Sequence, residues 1–238
     1  QLKKLPEFEW LNNINSQSLQ EAIRNLDVAY NNFFNKRAKF PKFKKKSNKQ
    51  SFSVPQHFSI HDNLLDIPKY KGIKIKLHRD IEDTMKSITI SKTPSEKYFA
   101  SILVETEIPD PIYSGNEIGI DYGIKSFITC SNGEVIDNPK HTRKHEKNTK
   151  RNNRKVSRKV KGSNNRTKQR IKVAKVHRKI RRQRDDFLHK ETTKLVNKYG
   201  CIVLENLNIS GMLRNHCLAK HISDASWHRF NQFLNYKA

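Results

Sequence analysis

The chain has 238 residues, enough for one large domain or two modest ones, and its 34% hydrophobic and 9% aromatic content is sufficient for a folded core. Lys and Arg total 48 against 23 acidic residues, which gives a net charge of +25 and a pI near 10. A charge of this sign and size predicts a polyanionic partner. The sequence has no apolar run approaching the roughly 18 residues of a spanning helix and no basic helix with a large apolar face. Nucleic acid is therefore favoured over a membrane.

The three cysteines, Cys130, Cys201 and Cys217, are far apart in sequence and lack the spacing of a metal site. We therefore expect reduced thiols in a cytoplasm. The chain shows no signal peptide and opens on Gln1 rather than Met, so we expect it to be an internal part of a longer protein.

The first predicted element is a helix from about Ser18 to Asn35, where apolar residues recur at three- and four-residue steps. Ser18 and Glu21 have the spacing of a capping box. Residues 36–50 alternate Lys with Phe and Pro, and we expect a basic loop because so many charges cannot be buried. The loop could be a solvated charge run, but we favour contact with nucleic acid, with Lys on phosphates and aromatic rings on bases. The lysines concerned are Lys42, Lys44, Lys45, Lys46 and Lys49.

Short β-like runs follow the basic loop, and their spacing predicts a small antiparallel barrel or sheet. Asp110-Pro111 and Ser114-Gly115 then indicate a domain boundary. We therefore expect three regions, residues 1–50, 51–112 and 113–238, of which the second holds the barrel. The β-like runs are Phe52–Val54, Leu64–Ile67, Ile73–Leu77, Ile88–Ile90 and Tyr98–Val104.

The last region begins with a predicted strand, Glu117–Asp121, followed by two β-prone runs that flank Ser131-Asn132-Gly133. Asn-Gly between such runs is a strong signal for a β-hairpin. A stripe of apolar residues then predicts one long helix from about Asn165 to Tyr199. An apolar strand, Cys201–Glu205, and a last helix from Ser223 onward complete the order β-β-β-α-β-α. The two runs that flank the turn are Ser126–Cys130 and Glu134–Ile136.

Most of the excess positive charge lies in residues 141–190, which hold 21 Lys or Arg against three acids. Such a segment is typical of the electrostatic footprint of a nucleic-acid-binding protein. Its basic residues around Ile180 could lie on the merely solvated face of a core-packed helix. We expect both roles, with one face on the sheet and the other along phosphates. The residues concerned are Arg178, Lys179, Arg181 and Arg182.

Two acids, Asp121 and Glu205, each end an apolar strand. A carboxylate in a buried strand is costly unless a cation or a partner compensates it. The two would meet if a helical crossover placed their strands side by side in parallel. Paired carboxylates suit Mg²⁺ or Mn²⁺ and the two-metal hydrolysis of phosphodiesters. From the spacing alone, the alternative that each acid only caps a strand or forms a salt bridge remains open.

The residues around these acids form longer motifs. They read Gly-Ile-Asp-Tyr-Gly-Ile-Lys over 119–125, Ser-Asn-Gly-Glu-Val-Ile over 131–136 and Leu-Glu-Asn-Leu-Asn over 204–208. These motifs resemble the first and second RuvC motifs of the TnpB (OrfB) proteins of bacterial insertion sequences. Further similar stretches extend the resemblance over essentially the whole chain: residues 15–20, 39–45, 138–140, 211–213, 215–216, 218–220 and 222–227, with Phe230.

The resemblance implies a chain of mixed α+β and α/β character. Residues 1–50 would be part of a helical recognition lobe, residues 51–112 a wedge-type β-barrel, and residues 113–238 an RNase H-like (RuvC) nuclease domain that is incomplete at its C-terminus. It implies a transposon-associated RNA-guided DNA endonuclease with a guide RNA and a target DNA as partners. Asp121 and Glu205 would be its catalytic metal ligands, holding Mg²⁺ or Mn²⁺.

The chain departs from the family in two respects. Family members begin some tens of residues before Gln1, and they continue past Ala238 into a four-cysteine zinc ribbon and a third catalytic Asp. We therefore expect zinc only in that ribbon. We interpret Asp224 as an acid at a helix start and not as a third metal ligand. With one carboxylate missing, the metals would be held too loosely, so this chain alone is expected to be a poor nuclease.

Three classes of function are compatible with the charge. The first is the RNA-guided DNA nuclease. The second is a nuclease-deficient, RNA-guided DNA-binding protein that acts like a repressor. The third, a basic RNA-binding protein of the ribosomal kind, gives no reason for Asp121 and Glu205 at the ends of apolar strands. We expect no small-molecule substrate in any of the three. We favour the first class, in which the full-length protein hydrolyses phosphodiesters with a divalent metal.

Overall fold

The computed structural model describes residues 4–45, 50–107 and 115–238. The chain forms two compact units, Gln1–Ile108 and Pro109–Ala238, and each is taken by itself. The domain boundary predicted at residue 112 lies outside the described residues. In the part of the chain that is described, no helix combines the length and the apolar character needed to cross a bilayer.

The N-terminal unit opens with a short 3-10 helix, Pro6–Asn13, and the helix α1, Ser16–Phe34. The side chain of Asn15 accepts a hydrogen bond from the Gln17 amide at 3.0 Å, so Asn15 is the N-cap. The capping box predicted at Ser18 is therefore wrong, because the helix has already begun there. The Ser18 hydroxyl instead donates to the Ser53 carbonyl at 3.2 Å and ties α1 to the following sheet.

Two three-stranded antiparallel sheets follow α1, in the orders β1-β5-β6 and β2-β3-β4. The predicted antiparallel strands are confirmed, but among the described residues neither sheet closes into a barrel. The strands of the second sheet are joined by tight turns, so they pair with their neighbours along the chain. Both sheets contribute to one small core, formed by Val54, Leu65, Ile67 and Ile88. The strands are β1 Gln50–Val54, β2 Ser59–His61, β3 Leu64–Ile67, β4 Tyr70–Lys74, β5 Thr84–Lys92 and β6 Tyr98–Glu105.

The C-terminal unit contains one mixed sheet with the strand order β10-β7-β8-β9. The first three strands in sequence are antiparallel neighbours, and β10 pairs in parallel with β7. The predicted hairpin is confirmed, and Gly133 occupies its left-handed position with φ of +86°. The strands are β7 Glu117–Tyr122, β8 Ser126–Cys130, β9 Val135–Asp137 and β10 Cys201–Leu204.

Six helices complete the described part of this unit, and three of them, α2, α3 and α5, were not predicted. The residues of α2 and α3 lack an apolar period, and α5 is a single turn. The predicted last helix is two helices, since Ser226 adopts a left-handed φ of +59° between them. The long crossover helix begins at Ser163, whose hydroxyl accepts from the Arg166 amide. The helices are α2 His141–Lys144, α3 Glu146–Ser157, α4 Asn164–Lys198, α5 Ile209–Met212, α6 Ala219–Ala225 and α7 Trp227–Lys237.

The main core lies between the mixed sheet, the second half of α4, and α7. Phe127 of β8 and Phe230 of α7 are both 0% exposed and meet edge to face with centroids 5.1 Å apart. Trp227 is 2% exposed and belongs to the same core. Burying a side chain of this size contributes about 1.5–3 kcal/mol. The core therefore fixes the sheet from which the two candidate metal ligands extend.

Candidate active site and nucleic-acid interface

Asp121 and Glu205 lie at the same end of two neighbouring strands. β10 runs parallel to β7, and Leu204 is the register partner of Ile120. Asp121 follows Ile120 and Glu205 follows Leu204, so the parallel, side-by-side strands predicted from the sequence are present. Adjacent strands lie about 4.8 Å apart, and registered residues of parallel strands point to the same face. The sheet thus brings the two carboxylates to the end at which β7 and β10 both finish, and we call this end the sheet edge.

Both carboxylates are exposed, and the expectation that they are buried is wrong. Side chains alternate along β7, so Ile120 and Tyr122 point into the core at 5% and 9% exposure while Asp121 points away from it. Glu205 follows the last residue of β10 and is also exposed. No burial cost therefore needs compensation, and the two acids are accessible to a cation and to a large substrate.

The residue behind Asp121 anchors the end of the strand. The Tyr122 hydroxyl donates to Asn231 Oδ1 on α7, and its ring packs against Trp227 with centroids 5.5 Å apart. Burial raises the pKa of Tyr122 to about 12; the Asn231 hydrogen bond opposes this, and the charge of Glu205 adds to it. Sequence reasoning missed this contact, which joins residues 109 positions apart.

The turn after Asp121 is closely packed. Gly123 donates its amide to the Phe127 carbonyl at 3.2 Å. A β-carbon at Gly123 would lie 2.8 Å from the Ser126 carbonyl oxygen, which is closer than atoms can approach. Glycine is therefore required by space at this position and not by a left-handed backbone. The turn fixes where the strand carrying Asp121 ends.

The donor atoms at this edge suit a hard divalent cation, because carboxylate oxygens are the ligands that Mg²⁺ and Mn²⁺ prefer. Asp121 and Glu205 supply two such side chains on adjacent strands. Within residues 4–45, 50–107 and 115–238, no group of three or more His, Cys, Asp or Glu is placed to hold a metal ion. The arrangement thus fits part of a metal site.

Asp224 has a different role from the one expected. It lies in the last turn of α6, with its side chain 7% exposed, so the interpretation as a helix-start acid is wrong. Both its carboxylate oxygens accept from the Thr142 amide at 3.0 Å, and Arg184 Nη2 lies 3.0 Å from Oδ1. The Thr142 hydroxyl also donates to Asp224, at 2.6 Å. This cluster, Thr142–Arg184–Asp224, links α2, α4 and α6.

The basic loop of the N-terminal unit is exposed over its described residues. Lys42, Lys44 and Lys45 are exposed, whereas the predicted Lys46 and Lys49 lie outside the described residues. Phe40 packs edge to face on Phe33 of α1 with centroids 5.3 Å apart. Phe43 is 98% exposed. The loop is therefore held to α1 by one aromatic ring and presents the other to solvent.

The basic residues predicted around Ile180 lie on α4. Ile180 is 5% exposed and belongs to the inward side of the helix. Successive helical residues are rotated by about 100°, so the four basic residues lie on the opposite side. Arg181 is 3.6 Å from Asp185. Three of the four are exposed and Arg178 is half-buried, as expected for a helix with one face packed and the other turned toward solvent: Arg178, Lys179, Arg181 and Arg182.

Comparison with known proteins places the chain in a class. The family model OrfB_IS605, described as "Probable transposase", matches residues 101–216. A protein of Streptomyces pristinaespiralis named "Putative RNA-guided DNA endonuclease" is 38% identical over 240 residues, which cover 99% of this chain and 60% of that protein. "Putative RNA-guided DNA endonuclease InsQ" of Escherichia coli (strain K12) is 32% identical over 253 residues, covering 99% of this chain and 63% of that protein.

A relative from Mycobacterium tuberculosis (strain ATCC 25618 / H37Rv), named "Putative RNA-guided DNA endonuclease Rv2885c", is 29% identical over 133 residues. The match covers 51% of this chain and 29% of that protein. The chain belongs to the TnpB (OrfB) family of transposon-encoded proteins. It spans a little under two thirds of the length of the two relatives that match it throughout.

Proposed function

We propose that the chain is the portion of a TnpB-type RNA-guided DNA endonuclease that carries two of its catalytic carboxylates. The observation that carries this proposal is the parallel pairing of β7 with β10, which brings Asp121 and Glu205 to one sheet edge. Three antiparallel strands, a crossover helix and a fourth strand parallel to the first are also the order expected of an RNase H-like domain. The names of the relatives agree with this assignment.

In this proposal Asp121 and Glu205 hold the catalytic metal through their carboxylate oxygens. A bound Mg²⁺ or Mn²⁺ would supply activation of water and stabilisation of the leaving oxygen in phosphodiester hydrolysis. The protein contributes placement. Tyr122, held by Asn231, fixes the end of β7, and the tight turn at Gly123 follows directly. Exposure of both acids leaves room for a nucleic-acid strand.

The partners in the proposal are a guide RNA and a target DNA. A net charge of +25 favours both, because each neutralised phosphate releases counterions. The exposed lysines of the basic loop, with Phe43 beside them, suit a strand whose bases stack on an aromatic ring. On α4 the side opposite Ile180 suits phosphates.

Cleavage by the full-length protein with its guide RNA tests the proposal. We expect Asp121→Ala and Glu205→Ala each to reduce metal-dependent DNA cleavage by at least about 100-fold while guide-directed binding remains, since the loss acts on the transition state. Glu117→Ala is the matched control, because Glu117 is an exposed acid at the opposite end of β7. Full cleavage by the Asp121→Ala, Glu205→Ala double variant would overturn the proposal.

A nuclease-deficient, RNA-guided DNA-binding protein is the second candidate. It is favoured by one observation, namely that no third acid joins Asp121 and Glu205 in a metal-binding group within the described residues. The same assay separates the two. Guide-directed binding by the wild-type full-length protein, without cleavage at any Mg²⁺ or Mn²⁺ concentration, would identify the DNA-binding protein.

A further inference from the structure

The helix α3 has one face made almost entirely of cations. Six basic residues line a single open groove along this helix, and we call them the outer α3 face. Glu146 accepts from Lys150 at 2.8 Å, and beyond it the sequence has no acid until Asp185. From its first to its last cation the face is about 16 Å long, at 1.5 Å per residue. The residues are Lys147, Lys150, Arg151, Arg154, Lys155 and Arg158.

The opposite face of α3 packs on the first half of α4 through polar groups. Gln169 of α4 is buried and donates to Asn152 Oδ1 at 3.0 Å. The Arg166 guanidinium donates to the Val156 and Lys159 carbonyls, at 3.2 and 2.9 Å, and so satisfies the C-terminal end of α3. These contacts fix the rotation of α3 about its axis, and that rotation turns the outer α3 face to solvent.

This basic hairpin, α3 with residues 164–179 of α4, has little apolar burial to hold it. No residue of α3 is buried, and the first buried apolar side chain of α4 is Ile180. Like charges at three- and four-residue spacing repel one another along α3. Conformational entropy and this repulsion both oppose the folded hairpin. A partner that compensates the charge would remove the repulsion. A polyanion along the outer α3 face is the partner that these charges fit.

We propose that the outer α3 face binds the phosphate backbone of the guide RNA. This proposal rests on the proposed function. RNA is favoured over target DNA because a guide remains bound between encounters with targets and keeps the charges compensated throughout.

The test compares two triple variants of the chain. Arg151→Gln, Arg154→Gln and Arg158→Gln together remove three cations from the outer α3 face. The control, which removes three exposed cations from the neighbouring helix of the same hairpin, is Lys168→Gln, Lys172→Gln and Lys175→Gln. Gln has nearly the helix propensity of Arg and Lys, so both variants keep the helices. Binding of a stem-loop RNA is measured at about 50 to 200 mM salt.

We expect the outer-face variant to bind the stem-loop RNA at least about tenfold more weakly, with a salt slope flatter by about 2 to 3, one unit per lost phosphate contact. The control is expected to shift the slope by less than about one. Equal losses in both variants would show a diffuse field and no defined surface. Unchanged RNA binding by the outer-face variant would overturn the inference.

A second probe distinguishes the kind of nucleic acid. Duplex DNA of the same stem sequence is expected to lose less than about threefold in affinity on the outer-face substitution, because the face is proposed to match the backbone geometry of A-form RNA and not that of a B-form duplex. A larger loss for DNA than for RNA would assign the surface to the target and contradict the inference.

Folding is controlled by hydrogen exchange. Amides of residues 146–163 in the wild-type chain are expected to gain protection when the stem-loop RNA is added, while those of β7 and β8 do not change. These measurements do not involve cleavage, so failure of the Asp121 and Glu205 experiment would leave them standing. Conversely, normal RNA binding by the outer-face variant in a cleaving full-length protein would remove only this inference.

Discussion

The two halves of α4 show how one helix can serve two purposes. From Ile180 onward its buried residues are mainly apolar and pack on the mixed sheet and α7. Before Ile180 its one buried residue is Gln169, which bonds to Asn152. The apolar half supplies stability, and the polar half supports charge. The difference indicates that fold stability depends on the apolar half and polyanion affinity on the polar half. Substitutions in one half should therefore leave the property of the other unchanged.

The largest effect is expected in the core on which the apolar half of α4 packs. Phe230→Ala removes a fully buried ring that meets Phe127 at 5.1 Å, and we expect it to lower the free energy of unfolding by about 3–5 kcal/mol. Val160→Ala, at a hairpin position 77% exposed, is the comparison and is expected to cost less than about 0.5 kcal/mol. Denaturant unfolding measures both. Similar costs at the two positions would contradict the assignment of fold stability to this core.

The next effect is expected at the junction of the two halves. Asp224→Ala leaves the Arg184 guanidinium without its carboxylate, and we expect a loss of about 3 kcal/mol, because Arg184 is only 21% exposed. Asp186→Ala removes an acid that is 64% exposed and paired with Lys190, and it is expected to cost about 0–1 kcal/mol. Thermal unfolding of the two variants side by side decides the matter. An Asp224→Ala chain as stable as the Asp186→Ala chain would show that the cluster stabilises nothing.

A smaller effect is expected at the sheet edge. Gly123→Ala forces a β-carbon to within 2.8 Å of the Ser126 carbonyl, and overpacking of this kind costs about 1–3 kcal/mol. Gly119→Ala, on the same strand, places its β-carbon at an ordinary 3.6 Å from Ser131 Cβ. We expect that variant to remain close to the wild type in urea unfolding. If instead Gly119→Ala were the weaker protein, the tight turn would not be what limits this edge.

The smallest effect is a pH dependence at the base of the basic hairpin. Hydrogen bonds from Lys150 and Lys220 lower the pKa of Glu146 to about 2, from an ordinary 4.5. Since the folded pKa lies below the unfolded one, this stabilisation is complete above about pH 4.5 and is lost as pH falls toward 2. We expect Glu146→Gln to make acid unfolding in this window shallower. A carbon-detected titration of Glu146 that showed an ordinary pKa would contradict the prediction.

Local patterns accounted for much of the fold and for the pairing of the two acids. The alternation in β7 and the Asn-Gly turn determine the strands, and an apolar stripe determines the second half of α4. The same alternation of Ile118, Ile120 and Tyr122 could have shown that Asp121 faces away from the core. Local hydrophobic pattern was the guide in each of these cases.

Other features depended on partners far away in sequence or on signals that are not apolar. α3 has no apolar period, although its cations recur at three- and four-residue steps from Lys147 to Arg158 and could have indicated a helix. The two small sheets differ from a barrel only in which strands pair, and this is decided by long-range contacts. The contacts of Asp224 with Thr142, 82 positions away, cannot be read from the sequence around either residue.

The Thr142–Arg184–Asp224 cluster also has a consequence for how the molecule can vary. Arg184 Nη2 lies 2.9 Å from Thr142 Oγ1, so the chain leaves the domain and returns to it at nearly one point. The ends of the segment 143–183 are therefore held together by this contact, and lengthening such a segment costs little closure entropy. A change in the length of this segment should therefore leave the sheet edge with its two carboxylates as it is.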